Sequence, residues 1–353
     1  MANVTLEKAG LESTSPNSVT PSELTELLLA FYPKRSPKVH ISGPPGCGKS
    51  SIVYQAFRDI LKVPVYVYQA MLYDMTEVKG LPVYTPDGKA KFLPFEDMKS
   101  GEEGVLFIDD LPHAPSQTQN AFMRLVLEGV AGAWDLGNLY PVTAGNRSRD
   151  RAGAKDLQTA MATRFDQVEL VTSYNDWRGW AVTRTHPAVI AFLGSPYGAG
   201  FLNKFDPSQQ CNPTQRTWQF VSEAMYALEG KKNLLNRAVA GCVGIEAQTK
   251  FMGWMNVYTK LPDLNKIIGG EDIFDKELDV MYAVISGLVS IASQEKKDRK
   301  AVFQRLLDYA TKMPQEFAEL GAYLGKDLFR VDLKLFEKLD IDAYEETYEG
   351  LVV

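Results

Sequence analysis

Residues 43–50, GPPGCGKS, set glycines, prolines, a lysine and a hydroxyl between an apolar run, KVHIS (38–42), and a helical pattern, SSIVYQAFRDIL. The spacing G-x-x-x-x-G-K-S after a strand and before a helix suits phosphate chemistry. Gly43, Gly46 and Gly48 let backbone N–H groups wrap an anion with no side chain intruding. The helix that follows adds its positive N-terminal end. On this reading Gly43, Pro44, Pro45, Gly46, Cys47, Gly48, Lys49, Ser50 and Ser51 line a nucleoside triphosphate. Lys49 reaches its β- and γ-phosphates and Ser50 binds Mg2+. The alternative is a Gly-Pro turn with a solvated lysine, and the flanking strand and helix weigh against it.

A second set of chemical groups ends another apolar run, GVLFIDD (104–110). Two carboxylates at a strand tip are costly unless a cation or water meets them. Asp109 suits Mg2+, directly or through water, and Asp110 suits orienting a water for attack on a γ-phosphate. Asn146, closing YPVTAGN (140–146), can hold that water through its amide, although Gly-Asn at a strand end also marks a turn. Arg147, Arg149 and Arg151 follow at once, and Arg164 precedes a further strand. An arginine offered to another subunit's nucleotide can neutralise transition-state charge.

The elements that would position these groups are alternating strands and helices up to about residue 172. KVHIS, VPVYVYQ (63–69), GVLFIDD, YPVTAGN and FDQVELV (165–171) are the strands. Such alternation predicts a parallel sheet covered by helices. Thr20, Pro21 and Glu23 predict a capped first helix that Pro33 stops. PVYTPDGKAKFLP reads as a hairpin turning at Pro86-Asp87-Gly88. It either caps the sheet or presents its tip, with Lys89 and Lys91, to a partner or to the pore of an assembly. GVAGAWDLGNLYPV is a second excursion. Beyond residue 173 the apolar spacing becomes helical throughout. The predicted division is a mobile tail over 1–19, an α/β domain over 20–172, and a helical domain with a C-terminal helical extension over 173–353. The acidic end, DIDAYEETYEG, reads as a solvated tail.

Composition narrows the class. With 353 residues, 45% of them hydrophobic and 23% charged, the chain can fill two packed units. A net charge of −6 argues against constitutive binding to a nucleic-acid backbone. Cys47, Cys211 and Cys242 are odd in number and widely spaced, and His40, His113 and His186 form no ligand-spaced cluster, which argues against disulfides and structural zinc. The start of the chain lacks signal-peptide features and no run is long enough to span a bilayer, so a cytosol-like compartment is expected.

With these pieces in order, the chain resembles the AAA+ ATPases, and within them the MoxR-like group, over roughly residues 20–265. GPPGCGKSS is similar to the family's P-loop, and VYQAMLYDMTEVKGLPVY to the segment leading into its helix-2 insert. FIDDLPHAPSQTQNAFMRLVLEG resembles its Walker B strand and following helix. AGNRSRDRAGAKDLQTAMATRFDQVEL resembles sensor 1 running into the arginine-finger region. NPTQRTWQFVS and GIEAQTKFMGWMNVYTKLPDL resemble its helical lid. The resemblance implies an AAA+ P-loop core followed by an all-helical lid domain. It assigns Asn146 to sensor 1, Arg164 to the arginine finger and Arg216 to sensor 2, touching the γ-phosphate of its own subunit. It also implies ATP and Mg2+, a homo-oligomeric ring that is often hexameric, and a protein partner with a von Willebrand factor A-type domain. One departure stands out: Asp109-Asp110 replaces the usual Asp-Glu. The second carboxylate is a methylene shorter, and since positioning a general base contributes ~10²–10⁴-fold, slow hydrolysis is expected. The competing readings are a nucleotide-gated assembly module with little turnover and a nucleic-acid motor.

Overall fold

The computed structural model describes residues 16–150, 163–258 and 261–349. Two compact units divide them. One runs up to Thr172 and includes the short return Phe205–Ser208; the other takes Ser173–Lys204 and Gln209 onward.

The first unit is built on a six-stranded sheet of Ser18–Val19 (β1), Val39–Gly43 (β2), Val65–Gln69 (β3), Gly104–Asp109 (β6), Leu139–Asn146 (β9) and Asp166–Leu170 (β10). Its order is β1-β10-β2-β9-β6-β3, and every pairing is parallel. The five predicted strands are all present. The sixth, β1, falls inside the stretch expected to be a tail: Ser18 pairs with Glu169 and Val19 with Leu170. Two residues with no apolar run carry no strand signal of their own. Their pairing is supplied by the open edge of β10.

β6 and β9 are buried along nearly their whole length, as strands covered on both faces must be. Successive side chains on β6 go to opposite faces. Val105 and Phe107 join a core with Leu24 and Leu28 of helix α1 (Pro21–Phe31) and Val53, Ala56 and Phe57 beyond the glycine-rich loop. Leu106 and Ile108 join the other core with Phe122, Leu125 and Trp134. α1 starts as predicted. Thr20 Oγ1 accepts from the Glu23 N–H at 3.3 Å while Glu23 Oε2 accepts from the Thr20 N–H at 2.8 Å.

Sheet order places the chemistry. From β2 the chain crosses to the far edge at β3, returns through β6 and β9, then passes to the other side of β2. Such a reversal opens a crevice beyond the carboxyl ends of the strands. There Gly43 pairs with Asn146, and Ile108, next to Asp109, pairs with Thr143. β9 therefore holds Asn146 between the glycine-rich loop and the acidic tip of β6.

Two hairpins leave this unit. Leu81–Tyr84 (β4) and Ala90–Leu93 (β5) pair as predicted, but almost every residue is exposed, Tyr84 to 91%, so the strands do not cap the sheet. Val130–Ala131 (β7) and Trp134–Asp135 (β8) form the second excursion, burying Trp134.

Among the described residues the second unit contains helices joined by loops and no strand. Its core gathers Phe192, Trp218, Phe251 and Trp254, whose ring centroids lie 5.2–6.4 Å apart. Arg178 and Asp327 form an ion pair of 2.6 Å, both side chains 1% exposed. The predicted solvated end is instead docked. Asp342–Thr347 is helical, and Tyr344 and Tyr348 are both 2% exposed. Tyr344 Oη donates to Ala322 O at 2.9 Å and Tyr348 Oη to Ala310 O. Their rings occupy the places where Cβ atoms of Gly325 and Gly321 would stand. Acidic residues cover the outer face of this turn while the tyrosines, four apart, share the inner one. Among the described residues no helix is long and apolar enough to cross a membrane.

Candidate nucleotide site

The loop between β2 and the helix Lys49–Tyr54 (α2) is shaped by its glycines. Gly46 (φ 73°) and Gly48 (φ 95°) adopt left-handed conformations that side-chain-bearing residues avoid. A Cβ on Gly43 would stand 3.0 Å from Cys47 Sγ and 3.3 Å from Leu170 O. The loop therefore closes against β10 only because position 43 is bare. Cys47 is buried, and burial pushes its thiol pKa up. Its contribution to a ligand is confined to the backbone. Pro44 is buried, Pro45 and Ser50 are half-buried, and Ser51 is exposed.

Lys49 is 8% exposed. Its Nζ donates to Gly43 O and Pro44 O at 3.0 Å each and to Asn146 Oδ1 at 2.8 Å. All three acceptors are neutral. A buried ammonium held by neutral oxygens lacks the counter-charge that ordinarily offsets its desolvation, and an anion in the loop supplies one. The same charge is felt one strand-length below. Burial, and then the Lys49 charge, lower the His40 pKa to about 4.

Ser50 Oγ donates to Asp109 Oδ2 at 2.6 Å, while Asp109 Oδ1 accepts from the Asp110 N–H at 3.0 Å. A hydroxyl and a carboxylate side by side are hard oxygen donors of the kind Mg2+ takes. Among the described residues no group of three or more His, Cys, Asp or Glu could hold a metal by itself. A divalent ion here would be completed by phosphate oxygens and water, which the donor set fits.

Asp110 (φ 55°) turns the chain into a short 3-10 helix, Leu111–His113. Pro112 of that turn packs on Gly145 so closely that a Cβ there would stand 2.2 Å from Pro112 Cδ. The turn brings back His113, which sequence reading assigned no role. Its Nδ1 lies 3.5 Å from Asp110 Oδ1 and its Nε2 lies 3.4 Å from Asn146 Nδ2. The three-residue offset inside DDLPH was the available signal.

Gly43–Ser50, Asp109, Asp110 and Asn146 thus converge in one unit. The arginines separate into different situations. Arg147 grips Asp150 through two nitrogens at 2.8 and 2.9 Å and meets Glu169 at 2.8 Å. Arg149 also pairs with Glu169. Arg151 lies outside the described residues. Arg164 is exposed, with its Nη1 3.9 Å from Met123 Sδ. It precedes Asp166, which pairs with Val39 at the start of β2, so it stands at the opposite end of the strands from the loop. A five-residue strand spans ~16 Å. Arg216 is exposed on the helix Gln215–Ala227 of the second unit, whose N-cap is Thr214.

No protein-family model matches the chain, and no curated protein matches it either. Solved structures similar to it include NtrX from Brucella abortus in complex with ADP, at 13% identity, covering 97% of this chain and 70% of that one, with a TM-score of 0.34. NtrX from Brucella abortus in complex with ATP is similar at 12% identity, over 97% and 69% of the two chains, with a TM-score of 0.38. The Holliday junction branch migration motor RuvB from Thermotoga maritima is similar at 13% identity, over 76% and 80%, with a TM-score of 0.36. At these identities and scores the likeness is one of general outline. What the site can do follows from its own atoms.

Proposed function

We propose that the chain is an ATPase of the MoxR-like AAA+ kind, working as a ring, hexameric in the usual family pattern, with ATP at each subunit interface. One observation carries the reading: a buried Lys49, held by neutral oxygens that include Asn146 Oδ1, is followed directly by Ser50, whose hydroxyl meets Asp109. Lys49 would donate to the β- and γ-phosphates, and the loop N–H groups would wrap them. Ser50 and Asp109 would hold Mg2+, which when bound neutralises phosphate charge. Asp110 and Asn146 would orient the attacking water. Arg164 would act on the neighbour's nucleotide, since it is exposed at the end of the strands remote from its own loop. Arg147 and Arg149 are less suited because carboxylates already engage them. Arg216 would report the γ-phosphate from the helical unit. Motion of that unit would act on a protein partner, one with a von Willebrand factor A-type domain in the family pattern.

A second reading is a nucleotide-gated module that assembles on ATP and scarcely hydrolyses it. The short Asp110 side chain, with Oδ1 facing His113 rather than open solvent alone, favours it. Steady-state hydrolysis against protein concentration, with mass measured in ATP and in ADP, separates the two. Specific activity that rises with concentration, together with an ATP-dependent ring, supports the ATPase. Assembly with negligible turnover supports the module. No nucleotide binding removes both.

A further inference from the structure

We propose, resting on the ATPase reading above, that His113 is a positioning residue that couples Lys49 to Asp110 through Asn146. Donor and acceptor chemistry fixes the direction of the links from Lys49 as far as the imidazole. The Lys49 ammonium can only donate, so the Asn146 atom at 2.8 Å from it is the amide oxygen. The amide nitrogen is then the atom 3.4 Å from His113 Nε2, and that ring nitrogen must accept. A neutral imidazole accepting at Nε2 carries its proton on Nδ1. Nδ1 faces Asp110 Oδ1 at 3.5 Å, within electrostatic reach of the carboxylate but without a closed hydrogen bond. Lysine, amide and imidazole thus share one polarity, which ends facing the Asp110 carboxylate.

The arrangement has a built-in response. An ammonium has three N–H donors, and those of Lys49 are all engaged, two by loop carbonyls and one by Asn146. To donate to a phosphate, Lys49 must release an acceptor, and Asn146 Oδ1 is the one carried by a side chain rather than by the loop backbone. Release alters what Asn146 offers His113, and hence the dipole that Asp110 faces. The imidazole cannot simply follow, because Pro112 seats its turn against Gly145. With side-chain exposures of 11% for His113 and 34% for Asp110, water competes weakly at the imidazole and more freely at the carboxylate. The two long links leave room to tighten once the site is loaded.

The test compares His113→Phe, which keeps the ring shape, with His113→Gln, which keeps polar atoms at its tip. The expected result for His113→Phe is a kcat lower by about tenfold or more, a share of the range open to water-orienting groups. KM for ATP should move less than about threefold, and His113→Gln should recover part of the loss. Nitrogen-15 NMR of the imidazole in the nucleotide-free parent is the second readout. It should show the Nδ1–H tautomer, with the Nε2 resonance shifting in Asn146→Ala. A resting Nε2–H tautomer, an Nε2 signal indifferent to Asn146→Ala, or His113→Phe with parental kcat would each overturn the proposal. A parent chain that binds no ATP would remove the ATPase reading. The tautomer measurement, made without nucleotide, would still decide whether the linkage exists.

Discussion

Ser50 and Asp109 come from segments far apart in the chain, yet the serine hydroxyl meets the carboxylate at 2.6 Å. The contact joins the first turn of α2 to the tip of β6. It forms because β9 stands between β2 and β6 and sets the level at which both strands end. If the pair is where Mg2+ docks, affinity for ATP in the parent should fall when the metal is chelated. Ser50→Ala should lose most of that difference. Titration of a fluorescent ATP analogue, with and without EDTA, reads it directly. A Ser50→Ala chain with the parent's full metal dependence would move the ion elsewhere.

Lys49 is the clearest case of a residue kept at a cost to stability. Its charge is buried among neutral oxygens, and a buried charge without a counter-ion is worse than an apolar side chain of similar length. Lys49→Met should therefore melt no lower than the parent when both lack nucleotide. Addition of ATP should raise the parent's Tm and leave the variant's unchanged. A nucleotide-free variant that melts well below the parent would mean that the lysine serves the fold.

How far these groups could be read from the sequence depended on how local their determinants are. The glycine-rich loop and the buried strands announce themselves, because Gly46 and Gly48 need left-handed backbone and β6 and β9 are apolar on both faces. His113 did not. Its place beside Asn146 depends on Pro112 packing against a glycine on another strand. Nor could sequence rank the arginines. Arg147 and Arg149 are engaged by Glu169, which reaches them only because β10 lies two strands from β9 with β2 between. The two-residue β1 has no periodicity to detect at all.

Arg164 and Lys49 should complement each other across copies of the chain. Arg164→Ala should bind ATP normally and hydrolyse it about 10³-fold more slowly, the usual scale for an arginine acting on a neighbour's phosphate. Lys49→Ala should not bind. Mixing the two should restore part of the activity, because some interfaces then join an intact loop to an intact arginine. Measuring turnover across mixing ratios tests this. Unchanged turnover of the single Arg164→Ala variant would return the role to Arg147, Arg149 or Arg151.

Two histidines, His40 buried and His186 half-buried, predict acid sensitivity. Burial, with the Lys49 charge second, lowers the His40 pKa to about 4, and burial alone does the same to His186. Well above pH 6.5 neither residue is protonated in the folded or the unfolded chain, so their contribution to stability is fully present. As pH falls from 6.5 towards 4 the unfolded chain takes up protons that the folded one refuses, and stability drops. Below about 4 the loss from these groups levels off. For His40, 3% exposed, the total is on the order of 3 kcal/mol. Urea unfolding across this pH window should show a shallower slope in His186→Asn, by about one proton. The asparagine can still cap the helix at Ala188, as His186 Nδ1 does at 3.1 Å. An unchanged slope would mean that His186 is protonated in the folded chain.

The docked C-terminal turn makes the last prediction. Tyr344 lies over Gly325 and Tyr348 over Gly321, so each glycine is a socket for a ring. A Cβ on Gly325 would stand 2.1 Å from Tyr344 Cζ, and the ring is also tethered by its hydroxyl to Ala322 O. Gly325→Ala gains helix propensity but overpacks the socket, at a cost of about 1–3 kcal/mol. Tyr344→Ala leaves a cavity instead, and truncating a buried aromatic costs about 3–5 kcal/mol. The double variant separates a socket from a mere surface contact. Once the ring is gone the Gly325→Ala penalty should vanish, leaving only its favourable propensity, so the two effects should be strongly non-additive. Chemical denaturation of the four chains measures the coupling. Additive losses would mean that Gly325 and Tyr344 act independently and that the acidic end is not anchored through this contact.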